Sequence, residues 1–102
     1  MNHQVRFTQD AEDDLHQLYD FILDRDPPDW PLAERALDAI RAGVAMLAFS
    51  PYACRKAASG MPLLRELLIP FGATGYVVLF EIEPNQVVTV LAVRHQREDD
   101  YH

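Results

Sequence analysis

The sequence predicts an α+β fold: an N-terminal strand, then an antiparallel helical hairpin, then a C-terminal three-stranded meander, with the hairpin lying on a mainly antiparallel sheet. Three observations predict it. Apolar residues alternate with polar ones over residues 4–8. They then recur every three or four residues through two segments separated by DRDPPDWP. Finally they fill three short runs divided by turn-forming residues. The order is therefore strand, helix, helix, strand, strand, strand, and the helices must bury their stripes against one face of the sheet. At 102 residues the chain reads as one domain spanning 1–102, long enough to bury a core without metals or disulfides.

Each element has its own signal. In QVRFT, residues 4–8, Val5 and Phe7 face one way and Arg6 and Thr8 the other. Thr8 can cap a helix, and Asp10, Glu12 and Asp13 follow where the helix dipole favours anions. Ala11, Leu15, Leu18 and Ile22 form its apolar stripe, widened by Tyr19 and Phe21. The helix should fade near Asp24, because the adjacent Pro27 and Pro28 force an extended turn. Asp29 caps a second helix, with Pro31 tolerated in the first turn. Its stripe is Ala33, Leu37, Ile40, Val44 and Leu47, with Ala36 and Gly43 beside it permitting close packing, and Ser50-Pro51 ends it. Residues 52–62 read as a loop carrying Arg55 and Lys56. The strands of the meander are 63–69, 76–83 and 87–93, separated by the loop PFGATG and by a tight turn at Pro84-Asn85. The last two are apolar on both faces, as central strands are.

Charge narrows the function. The net charge is −7, and it is uneven. Residues 1–51 hold ten acids and four arginines, whereas residues 52–102 hold six acids and five bases. An acidic chain is poorly suited to non-specific nucleic-acid binding, which rests on neutralising phosphates; no direct DNA binding is expected. Cys54 is the only cysteine, so no intrachain disulfide can form, which fits a reducing cytoplasm. No secretory signal and no membrane-spanning run is present. Glycine-rich phosphate loops, HExxH and CxxC are absent, and His95, Asp99, Asp100 and His102 match no common ligand spacing, so neither a metal nor another cofactor is expected.

The end of the chain stands apart. The uncharged run VVTVLAV leads straight into RHQREDDYH. His95 can change charge near neutral pH. With Tyr101 as a second acid–base group, and with Arg65 and Arg97 stabilising a phosphorane, such a cluster could support RNA cleavage. The plainer reading is a solvated tail or a salt-bridge network with Glu98, Asp99 and Asp100. Arg65, which shares a face with Leu63, Leu67 and Ile69, reads as an anion-binding arginine in a concave surface, as an edge-strand charge, or as a partner of Glu66 or Glu81. Arg94, His95 and Arg97 could converge with Arg65 if the last strand neighbours Arg65's strand or the hairpin beside it.

The ordered set VRFTQDAEDDLHQLYDFI, AERALDAIRAGVAMLAFSP, LRELLIPFGATGYVVLFEIE and VVTVLAVRHQRED resembles the RelE/ParE superfamily of type II toxin–antitoxin toxins, the ParE branch more than the RelE branch. The resemblance covers nearly the whole chain. It implies a cytoplasmic growth-inhibiting toxin, of the kind that stabilises plasmids, neutralised by a cognate ParD-like antitoxin. ParE-like members inhibit DNA gyrase; RelE-like members cleave mRNA on the ribosome. The RelE-like nucleases commonly place an arginine after the tyrosine that opens the penultimate strand, where GYVVLF has Val77, and they tend to be basic. The resemblance thus implies a gyrase inhibitor with Arg65, Arg94, His95 and Arg97 as recognition residues. The alternative is a ribosome-dependent mRNA endonuclease using Arg65, His95, Arg97 and Tyr101. A third reading is a weakly toxic member that still binds antitoxin. An antitoxin helix laid beside the hairpin would meet Trp30; Phe21 and Tyr19 read chiefly as core.

Overall fold

The computed structural model describes residues 2–24 and 27–96. Strand β1 (Gln4–Phe7) is followed by helices α1 (Gln9–Leu23) and α2 (Trp30–Ala45) and by strands β2 (Arg55–Lys56), β3 (Leu64–Phe71), β4 (Thr74–Glu83) and β5 (Val87–His95). The five strands form one sheet in the order β1-β5-β4-β3-β2. All neighbours are antiparallel except β1 and β5, which run parallel.

Both helix starts follow their sequence signals. The Ala11 amide donates to Thr8 Oγ1 at 3.1 Å, and the Leu32 amide donates to Asp29 Oδ1 at 2.9 Å. Ala11 and Ile22 of α1, and Ala33, Ala36, Ile40 and Val44 of α2, are buried against Val78, Phe80, Ile82, Val88 and Val90 of the central strands. Gly43 lets α2 approach β3 closely: a Cβ there would stand 2.8 Å from Ile69 Cδ1.

Several expectations need correction. Phe21 is 69% exposed rather than core; it is one residue from Ile22, and a helix turns about 100° per residue. Leu37 is only half-buried and absent from the core, its place taken by Ala36. Helix α2 ends at Ala45, not at Ser50-Pro51, and tightens into a 3-10 turn at Met46–Ala48. The Val44–Leu47 spacing of three suits either helix, so the periodicity could not separate them. The 52–62 loop contains β2, too short to leave a pattern. The PFGATG loop shrinks to Gly72-Ala73, because β3 runs through Pro70 and pairs Phe71 with Thr74. Pro70 is tolerated there because β2 pairs only with Arg65 and Glu66, leaving Pro70 on a free edge that needs no N–H. The last turn takes three residues, Pro84 to Gln86, with Asn85 and Gln86 at positive φ.

One irregularity matters most for the site. Leu79 pairs with Ala92 but Phe80 pairs with Val90. Leu91 is therefore an extra residue, a β-bulge in β5. Beyond it the alternation of β5 is reversed relative to Val88 and Val90.

Candidate functional site

The bulge decides where the C-terminal residues point. His95 falls on the helix-covered face, where its ring meets Tyr76 edge-on at 5.7 Å and its Nε2 lies 3.0 Å from Thr74 Oγ1. It borders an apolar hollow of about 630 Å³ with Leu18, Phe21, Leu32 and Phe71. Arg94 falls on the opposite face, turned away from the helices, and is exposed. It registers across from Val77, which is itself only 4% exposed.

Arg65 joins neither of them. Strand β5 does neighbour the β3–β4 hairpin, but β4 separates it from Arg65's own strand, and the basic groups do not converge. Arg65 registers with Phe80 and His95 with Tyr76; four residues of strand place them roughly 13 Å apart along the sheet. The Arg65 guanidinium is occupied by backbone. Its Nε donates to Pro62 O at 2.7 Å, and its Nη1 donates to Tyr52 O at 3.1 Å and to Cys54 O at 2.8 Å. It also stacks over the Tyr52 ring at 5.7 Å. Neither expected carboxylate is its partner: Glu66 binds Arg55 at 3.0 Å, and Glu81 is exposed on the opposite face. Burial beside this staple pushes the Cys54 thiol up, against a smaller opposing pull from Arg65. Arg97 and Tyr101 lie outside the described residues.

The face turned away from the helices carries Arg6, Val77, Leu79, Glu81, Glu83, Thr89, Ala92 and Arg94, with Leu64, Glu66 and Leu68 on β3. Its centre is apolar and its β1 side is stitched by a polar network. Arg6 Nε donates to Thr89 Oγ1 at 2.8 Å, and the Thr89 hydroxyl donates to the Glu83 carboxylate.

The other prominent feature lies beside the hairpin, where the resemblance implied an antitoxin helix; its lining was not read from the sequence. A groove of about 1000 Å³ runs between α1 and α2 over β1. Val5, Phe7, Leu15, Leu37, Ile40 and Val44 supply apolar surface, and Glu12, His16, Glu34 and Arg41 supply the charged and polar groups. Leu37, read as core, belongs here. The signal was available: at 100° per residue Leu37 lies on the flank of the stripe set by Ala33, Ala36, Ile40, Val44 and Leu47. At one end Tyr19 Oη donates to Glu34 Oε1 at 3.0 Å, and this bond raises the Tyr19 pKa. Trp30, 58% exposed, meets Tyr19 edge-on at 6.3 Å. At the other end are Phe49, 67% exposed, and His3, whose Nδ1 is buried without a hydrogen-bond partner. Among the described residues, no group of three or more His, Cys, Asp and Glu side chains could hold a metal ion, and no helix is long and apolar enough to cross a membrane.

A helical hairpin on a five-stranded sheet is a fold also seen in solved chains of the ParDE and RelE systems. The chain belongs to the ParE toxin family of the type II toxin–antitoxin system parDE, whose pattern it matches over residues 5–100. It is 35% identical over 88 residues to the protein named Toxin RelE3 of Caulobacter vibrioides, covering 86% of this chain and 88% of that one. Its fold is similar to that of a chain in the chromosomal ParDE system of P. aeruginosa, with a TM-score of 0.71, 19% identity, and 91% of this chain and 95% of that one covered. It is also similar to a free-state mutant of E. coli toxin RelE, with a TM-score of 0.62, 17% identity, and 98% and 90% covered.

Proposed function

We propose that this toxin acts by binding DNA gyrase, without chemistry of its own, and that a ParD-like antitoxin silences it by laying a helix in the groove between α1 and α2. The observation that supports a binding role is the separation of the basic residues. Arg94 and His95, adjacent on β5, point to opposite faces of the sheet, and the Arg65 guanidinium is engaged by three backbone carbonyls. General acid–base catalysis with phosphorane stabilisation needs such groups within hydrogen-bond reach of one another's substrate atoms. Arg94, on the same face as the exposed Leu68 and the half-buried Leu79, suits a protein surface better. The apolar groove, with Trp30 exposed beyond its end, suits a helix-in-groove partner. Function in the cytoplasm follows from that target.

Inducing the toxin in bacteria without antitoxin, while following labelled thymidine and labelled leucine, tests the target. DNA synthesis is expected to stop first, and purified toxin is expected to change gyrase supercoiling or cleavage complexes. Early arrest of protein synthesis with an unaltered gyrase assay would reject this reading.

Two observations favour a second reading, ribosome-dependent mRNA cleavage. One is the similarity to a protein named Toxin RelE3. The other is that Arg94 stands directly across from Val77, so a cationic side chain lies one strand away from the position where RelE-like nucleases commonly carry arginine. In that case His95, Arg97 and Tyr101 become the residues to mutate, and toxicity surviving combined His95→Ala and Tyr101→Phe changes would count against it.

A further inference from the structure

We infer that the segment accepted by the groove is basic: an amphipathic helix of about three turns whose apolar stripe is flanked by lysine and arginine. The inference rests on the reading of the groove as the partner site and adds the partner's chemistry.

The charge of the molecule is gathered on the hairpin. Helix α1 carries Asp10, Glu12, Asp13, Asp14 and Asp20 and neither lysine nor arginine. Helix α2 carries two acids and two arginines, so it offsets none of this. The residues flanking the inter-helix turn, Asp24 and Asp29, are acidic as well. Within the groove the two walls each present an exposed carboxylate, Glu12 from α1 and Glu34 from α2. Arg41, the arginine on the α2 wall, has Asp38 at 3.4 Å on its own helix. The bases of the described second half, Arg55, Lys56, Arg65 and Arg94, sit on β2, β3 and β5, none of them lining the groove.

An acidic segment entering this groove would bring like charges together across a narrow apolar floor, where screening by water is reduced. A basic one would be steered in by the field of the hairpin and would place its cations beside Glu12 and Glu34. Length follows from geometry. The α2 wall runs from Glu34 to Ala45, about 17 Å of helix at 1.5 Å per residue, which matches roughly eleven residues of a partner helix. Leu15, Leu37 and Val44 would receive its apolar stripe.

The test uses two synthetic helical peptides of about fourteen residues with the same leucine stripe, one flanked by lysine and one by glutamate. Binding is followed by the emission of Trp30, the only tryptophan, which adjoins the groove through Tyr19. The lysine peptide is expected to bind roughly tenfold tighter, or more, in low salt. That gap should close several-fold in about 0.5 M salt. It should close likewise in a protein carrying Glu12→Gln and Glu34→Gln, where the amide introduced by the second change can still accept from Tyr19. Leu37→Gln, at a half-buried position outside the core, should weaken both peptides. Equal affinity of the two peptides, with Leu37→Gln weakening both, would overturn the charge inference and leave the groove standing. A lysine peptide whose binding ignores Leu37→Gln would overturn the groove reading itself. Failure of both peptides to bind the folded protein at millimolar concentration would overturn both.

Discussion

Arg65 shows how a residue can look functional and be indispensable for another reason. An arginine in an apolar strand of a toxin invites a role on the target. Its guanidinium instead ties together the carbonyls of Tyr52, Cys54 and Pro62, three groups that β2 is too short to satisfy. Hydrogen bonds with one charged partner contribute about 1.5–3 kcal/mol each before the cost of ordering the side chain. Arg65→Ala should therefore lower stability by about 2–3 kcal/mol, and the melting temperature by roughly 10–20 °C. Arg65→Lys should recover less than half, because an ammonium lacks the planar fork. Thermal unfolding by circular dichroism checks this. An alanine variant melting within a few degrees of the parent would mean that the guanidinium is available to a target. A loss of toxicity in that variant is informative only alongside its melting curve.

At the scale of elements, legibility followed the length of the pattern. Both helices, their caps Thr8 and Asp29, and the four longer strands stood out because each shows its period or an unbroken apolar run. The helix-on-sheet arrangement followed from the order of those elements. What stayed hidden was local. Strand β2 has two residues, and Pro70 reads as a breaker until the strand edge it occupies is known. The bulge at Leu91 has no marker in VVTVLAV, whose residues are apolar on both sides of it, yet it alone decides which of His95 and Arg94 faces the helices. The candidate site was thus legible as residue types and illegible as geometry. The glycines of the β3–β4 hairpin give a sharp test of the pairing. A Cβ on Gly75 would fall on the Ile69 carbonyl oxygen, a backbone atom that cannot yield without parting the strands. Gly72 has φ +61° and open space around it. Gly75→Ala should cost roughly 2–4 kcal/mol by overpacking, and Gly72→Ala about 1 kcal/mol, from backbone strain alone. Urea titrations in which the two variants shift equally would contradict the register of this hairpin.

At the scale of the whole molecule, the sheet joins distant parts of the chain. Arg6 bonds Thr89 across 83 residues of sequence, and β1 is held in the sheet by β5, whose edge past Val90 is finished by α1: the Val93 amide donates to Asp14 Oδ2 at 2.9 Å. Contacts of such long range slow folding, because loop closure precedes any gain from pairing. Refolding after rapid dilution from urea should take roughly milliseconds to seconds, as for other mixed sheets. A sub-millisecond phase carrying the full amplitude in stopped-flow fluorescence of Trp30 would contradict this.

The position of β5 has a bearing on how a cell lives with this protein. The last of the five described strands is inserted inside the sheet, between β1 and β4. While the chain is being translated, the hairpin emerges early, and the strand that ties β1 to the rest of the sheet emerges after the other four described strands. The face proposed for gyrase, bearing Arg94, and the β1 floor of the proposed antitoxin groove therefore both wait for β5. On the proposed roles, the toxin would become able to meet its target and its antitoxin at the same moment.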